Sequence, residues 1–253
     1  MKAEEKVMCQ LNLYIVPKSV NKERVLNLMK DYFYYDKPEC VTEENILVDV
    51  QDNNNVYVSA GMGCNCGTVQ GSFQQENSTK PWQELKSEKI EAEREKFLKF
   101  KALLESEDYV EKRNDFTQKL EELGEKRNNA KGQEADDLLK EMQKMFQDDM
   151  FMVSMRYERR KTENGKEIVF HTIDEDLENL EKIVCGTTET EFKNLKAFVD
   201  EILEDSGEVK LFSYWQDGEM PTIEKENYVF QSDFKIEDII YLKYNELLTI
   251  FKN

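Results

Sequence analysis

Between Pro81 and Asp149 the chain carries a long charged block with helical spacing and no strand pattern, and this block separates whatever folds before it from whatever folds after it. Ile90, Phe97, Phe100 and Leu104 keep helical intervals, as do Phe116, Leu120 and Leu123, and then Leu138, Met142 and Met145. Pro81 suits a first helical turn, with Ser78 or Thr79 before it as a cap. Gly124 and Asn128-Asn129-Ala130-Lys131-Gly132 are breaks, so the spacing predicts an antiparallel helical hairpin or a short bundle.

Strand signals lie on both sides of the block. Leu11, Leu13 and Ile15 alternate as one face of a strand, and Val25, Leu28, Met29, Tyr32 and Phe33 follow at helical spacing. Ile46 to Val50, the turn Asp52-Asn53-Asn54-Asn55 and Val56-Tyr57-Val58 read as a hairpin, ahead of a glycine-rich cysteine loop from Gly61 to Gly67. After the block, Met150 to Tyr157 and Glu167 to Ile173 read as the arms of a second hairpin around Asn164-Gly165. Asp174 to Val184 and Thr190 to Glu204 read as two helices, the second with a stripe of Phe192, Leu195, Val199 and Ile202 and a stop at Gly207. Val209 to Trp215 and Tyr228 to Phe230 read as strands, Ile236 to Ile240 as a short helix, and Leu247 to Phe251 as a strand or docked tail. The expected class is α+β: mixed sections at 1–80 and 150–253 flanking the helical block at 81–149, with the last section able to continue the first.

The chain of 253 residues is 39% apolar, enough for a sizeable core, and its 35 basic against 53 acidic groups give a formal charge of −18. That balance disfavours direct binding to nucleic acid phosphates or to an anionic membrane. No segment approaches the roughly 18 to 20 uninterrupted apolar residues of a spanning helix, and Met1 to Val7 lacks the apolar core of a signal peptide. Five cysteines form an odd, sparse set suited to a reducing compartment, so a cytoplasmic chain without disulfides is expected. The charge is uneven: residues 171–253 hold 8 basic and 20 acidic groups, a net of −12. Such a surface either solubilises the chain or steers a basic partner towards it.

A single histidine, His171, restricts the chemistry, because Ser-His, Cys-His and most metal mechanisms draw on imidazole. It alternates with Val169 and Ile173, and the reading preferred here is a hydrogen-bonded strand histidine. Cys64-Asn65-Cys66-Gly67 is the sharpest local feature, since two thiols inside glycine-rich backbone can reach one zinc ion or yield a reactive thiolate. Cys9, Cys40, Cys185 and His171 are scattered and form no second paired knuckle, so small buried cysteines are the simpler reading. The acidic runs Asp136-Asp137 and Asp174-Glu175-Asp176 lack the spacing of a calcium loop, and the second suits the start of a helix. No phosphate loop, dinucleotide fingerprint, nucleophile elbow or zinc-protease helix occurs.

Met8-Cys9 at the head of the first strand resembles the N-terminal-nucleophile hydrolases such as the class II glutamine amidotransferases, which begin Met-Cys on a strand. The resemblance implies an N-terminal Cys9 thiol with its own amine as general base. Here seven residues precede Met8 and the family's following glycine is absent.

The sequence therefore points first to a non-catalytic acidic binding module, of inhibitor, immunity or adaptor type, engaging a basic protein partner through the C-terminal third. The residues expected to carry it are Tyr214, Trp215, Asp217, Glu219, Glu224 and Glu226, rigid aromatics beside carboxylates. No catalytic residue, metal or cofactor belongs to that reading. Its alternatives are a cysteine-dependent hydrolase or amidotransferase-like enzyme using Cys9, Cys64 or Cys66 with His171, and a zinc-stabilised fold through Cys64 and Cys66. The sequence specifies no oligomeric state.

Overall fold

The strand expected at the start of the chain, β1 (Cys9–Pro17), lies inside a six-stranded sheet and is buried on both faces: Leu13, Ile15 and Val16 are fully inaccessible, and Asn12 and Tyr14 nearly so. A strand with apolar residues at successive positions belongs in the middle of a sheet, where both sides are covered. The computed structural model describes residues 9–33, 39–41, 50, 52–58, 80–157, 160–163, 166–169, 172–216 and 221–253. It is an α+β fold, and it separates into two compact units, one made of Met1–Leu85 with Cys185–Asn253 and the other of Lys86–Val184.

In the first unit the chain runs from β1 into α1 (Lys22–Phe33), then β2 (Glu39–Val41) and β3 (Asn54–Val58). The strands β6 (Glu208–Gln216), β7 (Lys225–Phe230) and β8 (Glu246–Phe251) complete the sheet, in the order β2-β3-β1-β6-β8-β7. All neighbours are antiparallel except β7 and β8, which are parallel and joined through the short helix α8 (Ile236–Ile240). β1 pairs with β3 on one side and β6 on the other, so the first and last sections of the chain share one sheet. The hairpin expected from Ile46 to Val58 pairs differently: β3 takes β1 and β2 as its neighbours, and Ile46 to Asp49 lie outside the described residues.

Helix α1 and the long helix α7 (Leu180–Asp205) cover the sheet face that carries Tyr14. Phe33 of α1 stacks on Tyr14 with ring centroids 5.0 Å apart, and Phe198 of α7 meets both rings, at 5.0 Å from Phe33 and 5.5 Å from Tyr14. Leu195, Phe198, Val199, Ile202 and Leu203 form the buried stripe of α7, which stops just before Gly207 as its spacing implies. The two helices expected at 174–184 and 190–204 are instead the short α6 (Ile173–Glu178) followed by one continuous α7, because the 3.6-residue apolar stripe runs on through Gly186 without a cap. The opposite sheet face gathers Leu13, Ile15, Val56, Phe212, Tyr214 and Leu247, with Val50 and Ile223 packed against them.

The second unit is mainly helical. It holds most of α2 (Trp82–Leu104), then α3 (Tyr109–Asn129), α4 (Gln133–Met145), α5 (Asp149–Tyr157) and α6, together with the hairpin β4 (Arg160–Glu163) and β5 (Lys166–Val169). The break at 128–132 occurs as expected, with Gly132 at φ 61°, whereas Gly124 lies inside α3 and a further break falls between Leu104 and Tyr109. Met150 to Tyr157 is helix rather than strand. Met150, Val153 and Tyr157 bury one face at three- and four-residue spacing, and this outweighs the β-branched and aromatic content of the run. β4 and β5 pair antiparallel, Asn164 and Gly165 between them lie outside the described residues, and Ile173 begins α6. The core of this unit joins Phe97, Phe100, Tyr109, Met150, Val153, Tyr157, Ile173 and Leu180.

Among the described residues, no helix is long and apolar enough to cross a membrane.

Candidate functional site

The register of β7 on β8 sorts the side chains of β7 by face. Glu226, Tyr228 and Phe230 share one face with Leu247, Thr249 and Phe251, while Lys225, Asn227 and Val229 take the other. Glu226, Tyr228 and Phe230 are exposed, Tyr228 at 62% and Phe230 at 56%, the two largest exposures of aromatic side chains among the described residues. Tyr228 stacks on Phe251 at 6.1 Å and Phe230 meets the same ring at 6.4 Å, which holds a short aromatic ladder at the sheet edge.

Next to this ladder, on the same face, is a groove of about 590 Å³. Its floor comes from Leu247, Lys210 and Glu208, one wall from Asp52, Asn53 and Asn54, and the other from Ile223, Glu224 and Glu226. The two cations on this lining are already paired: Lys210 Nζ is 2.9 Å from Glu208 Oε1, and Lys225 Nζ is 3.4 Å from Glu246 Oε1. Neither Glu224 nor Glu226 has a cation partner among the described residues. Glu226 accepts the Tyr228 hydroxyl, which lifts that phenol above its ordinary value, and Glu224 accepts Asn245 Nδ2 at 3.1 Å.

The wall that bears Glu224 is placed by the turn before β8. Asn245 adopts φ 61°, a left-handed conformation that asparagine tolerates well. In that conformation its N–H donates to Ser213 O at 2.9 Å, and its carbonyl accepts the Glu224 N–H at 2.8 Å. On the other wall, Asn54 Nδ2 donates to Val50 O at 2.8 Å, and Lys18 Nζ reaches Asp52 O at 3.0 Å. A polar trough with carboxylates on its rim that have no cation partner among the described residues, and flat aromatic surface beside it, can hold a cationic side chain and an apolar one side by side.

The residues singled out by sequence are distributed as follows. Glu224 and Glu226 stand on the groove. Tyr214 is 6% exposed, stacks on Phe212 and belongs to the core on the groove's side of the sheet, so its ring is not offered at a surface. Trp215 lies on β6 opposite Gln10 in the backbone ladder, whereas Asp217 and Glu219 lie outside the described residues. Cys9 opens β1 opposite Gln216, Cys40 is in β2, and Cys185 is buried in α7. Cys64, Cys66 and His171 lie outside the described residues. Among the described residues no cluster of three or more His, Cys, Asp or Glu side chains could hold a metal ion.

Sequence reading missed the contribution of Asp52, Asn53, Glu208 and Lys210 to the groove, because the sheet brings them together from distant positions. The period-two spacing of Glu226, Tyr228 and Phe230 was the available signal for the exposed face of β7.

Compared with known protein families, with curated proteins and with solved structures, the chain finds no match.

Proposed function

We propose that the chain is a non-catalytic acidic binding module, of inhibitor, immunity or adaptor type, that engages a basic protein partner through its C-terminal third. The observation that supports this most directly is the pair Glu224 and Glu226, exposed on the rim of the groove, without a cation partner among the described residues, beside exposed Tyr228 and Phe230. Carboxylates on a rim steer and orient a cationic partner, and their pull weakens as salt shortens the screening length to about 8 Å at 0.15 M. Flat aromatic side chains supply contact area at low cost in side-chain entropy. The net charge of −12 over residues 171–253 adds a long-range attraction for a cationic partner.

The test is native mass spectrometry of the untagged chain isolated gently from its host at low salt, alongside a Glu224→Lys/Glu226→Lys variant. The expected result is a stoichiometric basic subunit on the wild-type chain that dissociates as salt rises and is absent from the variant. A chain recovered alone, or a partner held equally by both forms, overturns the reading.

A further inference from the structure

β7 ends the sheet: it pairs with β8 on one side, and no described strand pairs with it on the other. Alternate residues of such a strand direct their N–H and C=O groups outward, a template that a further strand completes. Proteins commonly guard such edges with charge or proline along their length, yet β7 carries its charges only at Lys225 and Glu226 and continues as Tyr228-Val229-Phe230.

From this edge we infer that the partner's recognition element is an extended basic segment that adds to β7 as a seventh strand, with cationic and apolar side chains alternating along it. The inference rests on the reading of this face as the surface for a basic partner. The occupant's chemistry follows from what it would touch. Side chains on the groove face would pass Glu226 first and then Tyr228 and Phe230, so a lysine or arginine belongs near the first, and an aliphatic group or the stem of a long cation belongs on the rings. A second copy of the chain fits this edge poorly, because it would bring together two chains that each carry a formal charge of −18. Main-chain hydrogen bonds would give the contact its affinity and the groove its preference for positive charge, the division of labour seen wherever peptides extend a sheet.

The experiment uses the full chain and three labelled octapeptides of equal charge in fluorescence anisotropy at low salt: an alternating Lys-Val peptide, the same peptide with every backbone amide N-methylated, and a helix-forming Lys-Ala peptide. The expected result is that the alternating peptide binds at least tenfold more tightly than either control and slows amide hydrogen exchange across residues 225–230. Tyr228→Ala/Phe230→Ala and Glu226→Lys, all at exposed positions, are each expected to weaken it by fivefold or more. Equal binding of all three peptides, with no change in exchange at 225–230, overturns strand addition and leaves the basic-partner reading standing. Failure of every basic peptide to bind overturns both. A concentration-dependent dimer that Tyr228→Ala/Phe230→Ala abolishes assigns the edge to a second copy and also overturns the inference.

Discussion

Ser213 donates its hydroxyl to Asn12 Oδ1 across 2.5 Å, joining two residues 201 positions apart at the middle of the sheet, where one is fully inaccessible and the other 1% exposed. They are also direct cross-strand partners in the β1–β6 ladder. A slip of one residue would set Asn12 against an apolar neighbour and leave both polar groups without this bond, so the pair defines the register between the first and last thirds of the chain.

Ser213→Ala removes the donor and leaves Asn12 Oδ1 buried without that hydrogen bond. The expected loss is about 1 to 3 kcal/mol. Urea unfolding checks it, with a lower midpoint and an unchanged slope as the expected signature.

In the helical unit, Asp176 is fully buried and its Oδ2 accepts both Arg156 Nε and the Tyr157 hydroxyl at 2.7 Å. Arg156 lies over the Phe97 ring at 5.0 Å, so the ion pair is built into the aromatic core. Asp176 is set there by α6, whose Thr172 caps the first turn reciprocally with Glu175. Asp176→Ala is expected to destabilise this unit by about 1 to 3 kcal/mol, since it removes the acceptor that Arg156 and Tyr157 share. Amide hydrogen exchange resolved by unit should place the loss within residues 86–184.

The same contact predicts an alkaline limb of the stability curve. Burial first, and then the hydrogen bond to Asp176, push the Tyr157 phenol above its ordinary value of 10.0. A group whose pKa is raised on folding contributes stability that is complete below the unfolded value and is lost as pH rises through the folded one. Stability should therefore fall above about pH 10. Tyr157→Phe should make that fall shallower without abolishing it, because Tyr32 and Tyr244 are also raised, each chiefly by burial. Thermal unfolding at pH 8 through 11 checks both statements.

Two glycines of the helical unit should respond to alanine with opposite signs. Gly124 lies within α3, and a Cβ there meets nothing within 4 Å, so Gly124→Ala should stabilise by about 0.5 to 1 kcal/mol. Gly132 has equal space but sits at φ 61°, so Gly132→Ala should cost about 1 kcal/mol or more. Urea unfolding of the two variants side by side checks the difference.

Much of the local structure was legible in residue order. The alternation in Leu11, Leu13 and Ile15, the stripe of α7, the pairing of β4 with β5 and the break at 128–132 each rest on interactions between residues close in the chain, and each is present. Where a run fitted two periods, local reading failed. Met150 to Tyr157 holds enough β-branched and aromatic residues to suit a strand, and only the core that receives Met150, Val153 and Tyr157 selects the helix. The start of α2 is likewise completed from far away, by Glu237, whose carboxylate accepts the Trp82 N–H at 2.9 Å.

The sequence by itself determined the α+β class, the acidic surface and most element types, because charge, side-chain volume and hydrophobic period are properties of neighbouring residues. The tertiary structure decided which strands meet, that Tyr214 turns inward while Tyr228 and Phe230 stay at the edge, and that Glu224 and Glu226 face Asp52 and Asn53 across one groove. Those outcomes depend on strand order and register, which are set by the burial of whole faces and by pairs such as Asn12 and Ser213. No local window of the chain contains them.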